Sequence, residues 1–74
     1  MELETIRRLD DCLILVDRLI SELEQDNDEI QSCISGEILV QYIKGNELAM
    51  ELLYSIRRQI VELQQEQEAA LLLE

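Results

Sequence analysis

The sequence predicts an all-α fold, an antiparallel two-helix hairpin of the coiled-coil type. Three observations support this prediction. Proline is absent from the 74 residues, and glycine occurs only twice. Apolar residues recur at alternating intervals of three and four, which is the spacing of helices that pack side by side. Finally, two such patterns lie on either side of Gly36, where the chain can turn. We therefore expect one helical hairpin domain spanning residues 1–74.

The first helix is predicted over residues 2–34. Its apolar residues fill the a and d positions of successive heptads, and these positions form the seam of the hairpin. Asn27 occupies the one seam position that is not aliphatic. The other seam residues of this helix are Ile6, Leu9, Leu13, Val16, Ile20, Leu23, Ile30 and Ile34.

The turn is predicted at residues 35–37 and the second helix at residues 38–72. The second seam also contains a single asparagine, Asn46, together with two weaker seam residues near the carboxyl end, Gln67 and Ala70. The other seam residues of this helix are Leu39, Tyr42, Ala49, Leu53, Ile56, Ile60 and Leu63.

Folding the chain back at Gly36 aligns the two seams, because opposed seam residues then have a nearly constant sum of residue numbers. This alignment places Asn27 opposite Asn46, so their amides can hydrogen-bond instead of being buried without partners. It also places Asp17 beside Arg57. A buried asparagine pair typically lowers stability and fixes the register, so we interpret Asn27 and Asn46 as a register pair.

Two less favoured interpretations involve local features. A capping box at residues 26–29 and a glycine at position 45 could break both helices, giving a three-helix arrangement over roughly 2–25, 28–44 and 46–70. Residues 38–43 are rich in β-branched side chains and could form a strand, but no second strand is available for pairing. The hairpin is favoured because it alone explains the alignment of the two seams.

More apolar residues are present than one seam can bury. The excess lies on one flank of the hairpin, at Cys12, Leu15, Leu19, Ile38, Leu48 and Leu52. A contiguous apolar patch on a small protein usually marks an interface. We expect these residues to pack against a second copy or another protein, completing a four-helix bundle.

Composition argues against several function classes. With 17 acidic and 6 basic residues the net charge is −11, which opposes binding to nucleic acid or to an anionic membrane. Histidine is absent, and no metal-binding or phosphate-binding motif occurs. We therefore expect no enzyme activity, no cofactor and no small-molecule substrate.

Cys12 and Cys33 are too far apart on one helix to form a disulfide, and we expect buried or half-buried thiols in a reducing compartment.

The favoured function is a non-enzymatic protein–protein interaction module: a small acidic adaptor, chaperone-like protein or assembly subunit that works by helix-bundle completion. The alternative is an acidic nucleic-acid mimic that inhibits a DNA- or RNA-binding protein, which the net charge favours.

The amino-terminal residues lack the pattern of a secretory signal, and no apolar run is long enough to span a membrane. These features predict a cytoplasmic protein.

Overall fold

A computed structural model describes residues 2–73 and contains two α-helices, α1 (Glu2–Ile30) and α2 (Gly36–Leu73). The helices pack against each other as an antiparallel hairpin, which confirms the predicted fold class. The molecule is a rod with extents of 58 × 15 × 13 Å and a radius of gyration of 17.0 Å. A compact domain of the same length would have a radius of gyration of about 11 Å. The chain therefore leaves much of its surface outside the helix–helix contact.

The turn differs from the sequence prediction, because α1 ends at Ile30 and not at residue 34. The Ser32 hydroxyl and backbone N–H both donate to the Glu29 carbonyl, at 2.7 and 3.2 Å. The Cys33 and Ile34 N–H groups donate to the Ile30 carbonyl at 3.0 and 3.1 Å. The Ser32 hydroxyl thus bonds to the Glu29 carbonyl, which would accept from the Cys33 N–H if the helix continued.

The chain reverses direction at Gly36, which has a φ of +74° and is the first residue of α2. A side chain would be strained in this left-handed conformation, so the residue type matches the geometry. The second helix thus starts two residues earlier than the predicted limit of 38 and extends to Leu73.

Both helices are continuous through the two predicted break points, so the three-helix arrangement is wrong within residues 2–73. Asp26 does not cap a new helix, because its carboxylate accepts hydrogen bonds from Tyr42 and Asn46 of α2. Gly45 lies inside α2 without interrupting it. Residues 38–43 also belong to α2, and no strand occurs among the described residues.

The core is small. Only Val16, Ile20 and Ile60 are classed as buried among the described residues, and none of these is completely shielded from solvent. The partly buried residues that pack against them are Leu9, Leu13, Leu53 and Ile56. All of these residues are seam positions. The hairpin therefore has one thin layer of apolar contact between its helices.

The two helices use the seam differently. Every seam position predicted for the first helix, from Ile6 to Ile34, is buried or half-buried, although Ile34 lies beyond the end of α1. On α2, the predicted seam residues Tyr42, Leu63 and Ala70 are exposed, whereas the residues that follow them, Ile43, Gln64 and Leu71, are half-buried. The buried face of α2 is thus rotated relative to the prediction. This rotation brings polar side chains of α2 within hydrogen-bonding distance of acids on α1.

Neither helix, over the residues that the structure describes, contains a segment that is sufficiently long and apolar to cross a lipid bilayer.

Candidate interaction surface

Six residues were expected to form an apolar flank, and all six are exposed. The central four are leucines, with exposed fractions of 54% for Leu15, 39% for Leu19, 67% for Leu48 and 62% for Leu52. Cys12 lies one helical turn before Leu15. These five residues, with Ile38, are referred to below as the apolar flank.

The register of the hairpin brings the leucines together. Hydrogen bonds join Asp17 to Arg57 and Asn27 to Asn46. Leu19 lies between these two contacts on α1, and both Leu48 and Leu52 lie between them on α2. All three leucines therefore occupy the same section of the rod, and Leu15 immediately adjoins it.

Ile38 does not join this group. It lies near the turn, eight residues before Asn46, which corresponds to about 12 Å along a helix. The apolar flank therefore consists of a central cluster of leucines, with Cys12 at one end and the more distant Ile38 towards the turn.

Three polar contacts join the helices at residues whose heptad positions place them on the other side of the seam from the apolar flank. Gln64 donates to Asp10, the Arg57 Nε donates to Asp17 at 2.8 Å, and the Tyr54 hydroxyl donates to Glu24 at 3.2 Å. The bond to the Glu24 carboxylate raises the pKa of Tyr54, because it stabilises the protonated phenol. We call these contacts the polar flank. The side chains of the polar flank are hydrogen-bonded to the other helix, so they are less available to a partner than free polar side chains would be.

A third set of polar contacts lies at the predicted register layer. The Asn46 Nδ2 donates to the Asn27 Oδ1 at 2.8 Å and to the Asp26 Oδ2 at 2.9 Å, and the Tyr42 hydroxyl donates to the same Asp26 oxygen at 2.6 Å. The two donors to its carboxylate hold the pKa of Asp26 below its usual value. The bond to Asp26 conversely raises the pKa of Tyr42.

Sequence reasoning missed the role of Asp26. It treated this residue as a possible helix cap, although Asp26 immediately precedes the register residue Asn27 and is near the seam. An acid beside a seam asparagine, facing a second asparagine and a tyrosine on the other helix, is the signal that could have identified the cluster.

The cysteines also differ from expectation, since Cys12 and Cys33 are both exposed free thiols. Neither is a seam residue: Cys12 belongs to the apolar flank and Cys33 to the turn. Among the described residues, no group of three or more acidic or cysteine side chains is arranged to hold a metal ion.

Other exposed apolar residues are more scattered. Leu3, Ile14, Val40 and Tyr54 lie outside the apolar flank and are separated from one another by polar residues. Single exposed apolar side chains of this kind are common on protein surfaces. Near the carboxyl end Leu71 is half-buried, whereas Leu72 and Leu73 are almost fully exposed.

Comparison of the chain with protein-family models, with curated proteins and with solved structures finds no match.

Proposed function

We propose that this chain is a non-enzymatic protein–protein interaction module of the cytoplasm, an adaptor or chaperone-like assembly subunit that acts by completing a helical bundle. The observation that carries this proposal is the asymmetry of the hairpin. Leu15, Leu19, Leu48 and Leu52 are exposed together on one flank, while the opposite flank is occupied by polar contacts between the helices.

The mechanism is the burial of the leucines by apolar side chains of a partner helix. Fully burying one leucine contributes about 1.5–3 kcal/mol, so completing the burial of four half-exposed leucines contributes about 3–6 kcal/mol. Micromolar affinity requires about 8 kcal/mol after the costs of association have been met. A partner that covers only the leucines would bind weakly. The partner must therefore cover a surface wider than these four side chains.

The proposal can be tested by crosslinking from Cys12, which is exposed and lies at one end of the leucine cluster. A photoreactive group is attached to Cys12 in a Cys33→Ser chain, and the chain is mixed with extract of its native host. We expect crosslinks to an amphipathic helical segment, from another protein or from a second copy of this chain.

A matched control carries the same group elsewhere on α1. In a Cys12→Ser, Cys33→Ser chain, Ile14→Cys places the thiol outside the apolar flank, two residues from Cys12. The proposal fails if both attachment points give the same products. It also fails if the products from Cys12 do not change when Leu15 and Leu48 are replaced by glutamate.

The net charge of −11 supports one alternative, that the chain mimics a nucleic acid and occupies a nucleic-acid-binding protein. Asp10, Asp17 and Glu24 are already engaged by α2, which reduces the acidic surface available to such a target. Ionic strength separates the two functions. Binding through mimicry weakens steeply as salt is added, whereas burial of leucines responds little.

A further inference from the structure

We infer that the occupant of the apolar flank is a second copy of this chain, so that two hairpins form a symmetric four-helix bundle. This inference rests on the proposed function, because it identifies the partner of the same surface. It is supported by the spacing of the leucines, by the surface area of the chain and by the charges around the flank.

The leucines have a self-matching arrangement. Leu48 and Leu52 on α2 repeat the four-residue spacing of Leu15 and Leu19 on α1, and the two helices are antiparallel. In a two-fold symmetric dimer the same patch must be complementary to itself. The hairpin meets this requirement, because each of its two helices carries one pair of leucines. In the dimer, the two leucine pairs of one copy can pack against the two pairs of the other.

The accessible surface of the chain is also larger than a compact monomer needs. The area is 5776 Å² for a chain of 8.6 kDa. The scaling of surface with mass gives about 4,700 Å² for a folded monomer of this size, an excess of about 1,100 Å². A standard protein interface covers about 800 Å² on each partner. The excess reflects the elongated shape of the rod, and it is larger than the area that a standard interface covers on one partner.

A second hairpin supplies its own four leucines to this surface. A symmetric dimer therefore buries eight leucines, four from each copy. Since four half-exposed leucines give weak binding, doubling their number favours the symmetric arrangement.

The charges near the apolar flank are of both signs, although the chain as a whole is strongly acidic. Arg18 lies beside Leu19 in the sequence and one turn from Leu15, and Lys44 lies one turn before Leu48. Four acids, Asp11, Glu22, Glu47 and Glu51, lie within one turn of the same leucines. A boundary of mixed charge allows two identical surfaces to approach, whereas a uniformly acidic boundary would repel its copy and favour a basic partner.

Sedimentation equilibrium of the purified chain tests the inference. Between about 1 and 200 µM, we expect the mass to rise from 8.6 kDa towards twice that value as association proceeds by mass action. Leu15→Glu and Leu48→Glu each place two charges in the dimer interface, one from each copy. We expect each to raise the dissociation constant at least about 100-fold.

Ile14→Glu is the matched control, because Ile14 is 59% exposed, is adjacent to Leu15 and lies outside the apolar flank. We expect its dissociation constant to remain within about threefold of the wild-type value. Circular dichroism at the same concentrations determines whether each variant retains helix. Should the leucine variants lose their helices, crosslinks from Cys12 in a Cys33→Ser chain decide the question, since they must reach the leucines of the other copy.

Three results would overturn the inference. One is a wild-type chain that stays at 8.6 kDa throughout the range. Another is a dimer that both leucine variants leave intact, which would indicate a different surface or an exchange of helices between chains. The third is equal loss of association in Ile14→Glu. If the wild-type chain is monomeric but Cys12 crosslinks to a helix of another protein, the proposed function stands and only the identity of the partner is wrong.

Discussion

Asn46 and Asn27 form one hydrogen bond with each other, but they do not contribute equally to the register layer. The Asn46 amide donates to both Asn27 and Asp26, whereas the Asn27 side chain accepts only from Asn46 among the bonds resolved at this layer. We therefore expect Asn46→Ala to lower the free energy of unfolding more than Asn27→Ala does.

The difference follows from the bonds that each substitution removes. Asn27→Ala removes one bond between neutral groups, worth about 1 kcal/mol, and Asn46→Ala removes that bond and a second to a carboxylate, worth about 1.5 kcal/mol. Alanine is the better helix former by about 0.7 kcal/mol at either position, and this gain cancels in the comparison. The expected losses are thus about 0.3 kcal/mol for Asn27→Ala and about 1.8 kcal/mol for Asn46→Ala.

Thermal unfolding followed by circular dichroism measures this difference. For a domain of this size 1 kcal/mol shifts the melting midpoint by about 4–8 °C, so Asn46→Ala is expected to melt about 6–12 °C below Asn27→Ala. Both variants must be measured at the same protein concentration, because association makes the midpoint depend on concentration.

Equal midpoints would refute the reasoning, since they would mean that the bond from Asn46 to Asp26 contributes nothing. A larger loss in Asn27→Ala would refute it more strongly. The double variant adds a further check, because the two asparagines share a bond and their effects should not be additive.

Three further predictions concern the core, the polar flank and pH. Ile60→Ala removes one of the three side chains that are buried among the described residues and should lower the free energy of unfolding by about 2–5 kcal/mol in urea denaturation; a loss below about 1 kcal/mol would contradict a core centred on this residue. Arg57→Gln should cost less than about 1 kcal/mol, because its bridge to Asp17 is half exposed, and the cost should shrink further in high salt. Since the pKa of Asp26 is lowered in the folded state, its contribution to stability is present above the unfolded value of 3.8 and is lost as the pH falls through the folded value. Melting midpoints from pH 6 to pH 2 should therefore fall more steeply for the wild-type chain than for Asp26→Asn, and parallel curves would argue against the bonds to this carboxylate.

The heptad spacing was sufficient to predict the hairpin and the buried face of α1, because these depend on which residues are apolar and at what interval. It also singled out six apolar residues outside the seam, and these residues are exposed.

Three features could not be read from the spacing. The end of α1 depends on Ser32 bonding to the Glu29 carbonyl, a local contact that competes with the helix without any glycine or proline to mark it. The rotated face of α2 buries Gln64, which bonds to Asp10 across the hairpin, in place of the apolar Leu63. The role of Asp26 depends on two donors from α2 converging on one oxygen. Each involves the shape and length of particular side chains, which a pattern of apolar and polar residues does not contain.

The left-handed backbone of Gly36 has a consequence for how the seam is completed. The contacts between α1 and α2 would be equally satisfied by two opened chains lying antiparallel, each supplying α1 to the α2 of the other. A short connection favours the pairing of α1 with α2 of the same chain. The connection reverses the chain through a conformation of Gly36 that costs a non-glycine residue about 1–2 kcal/mol. Because a Cβ at this position would meet nothing within 4 Å, the constraint is one of backbone torsion and not of space. A single residue outside the helix–helix contact thus biases the choice between a closed hairpin and a swapped pair.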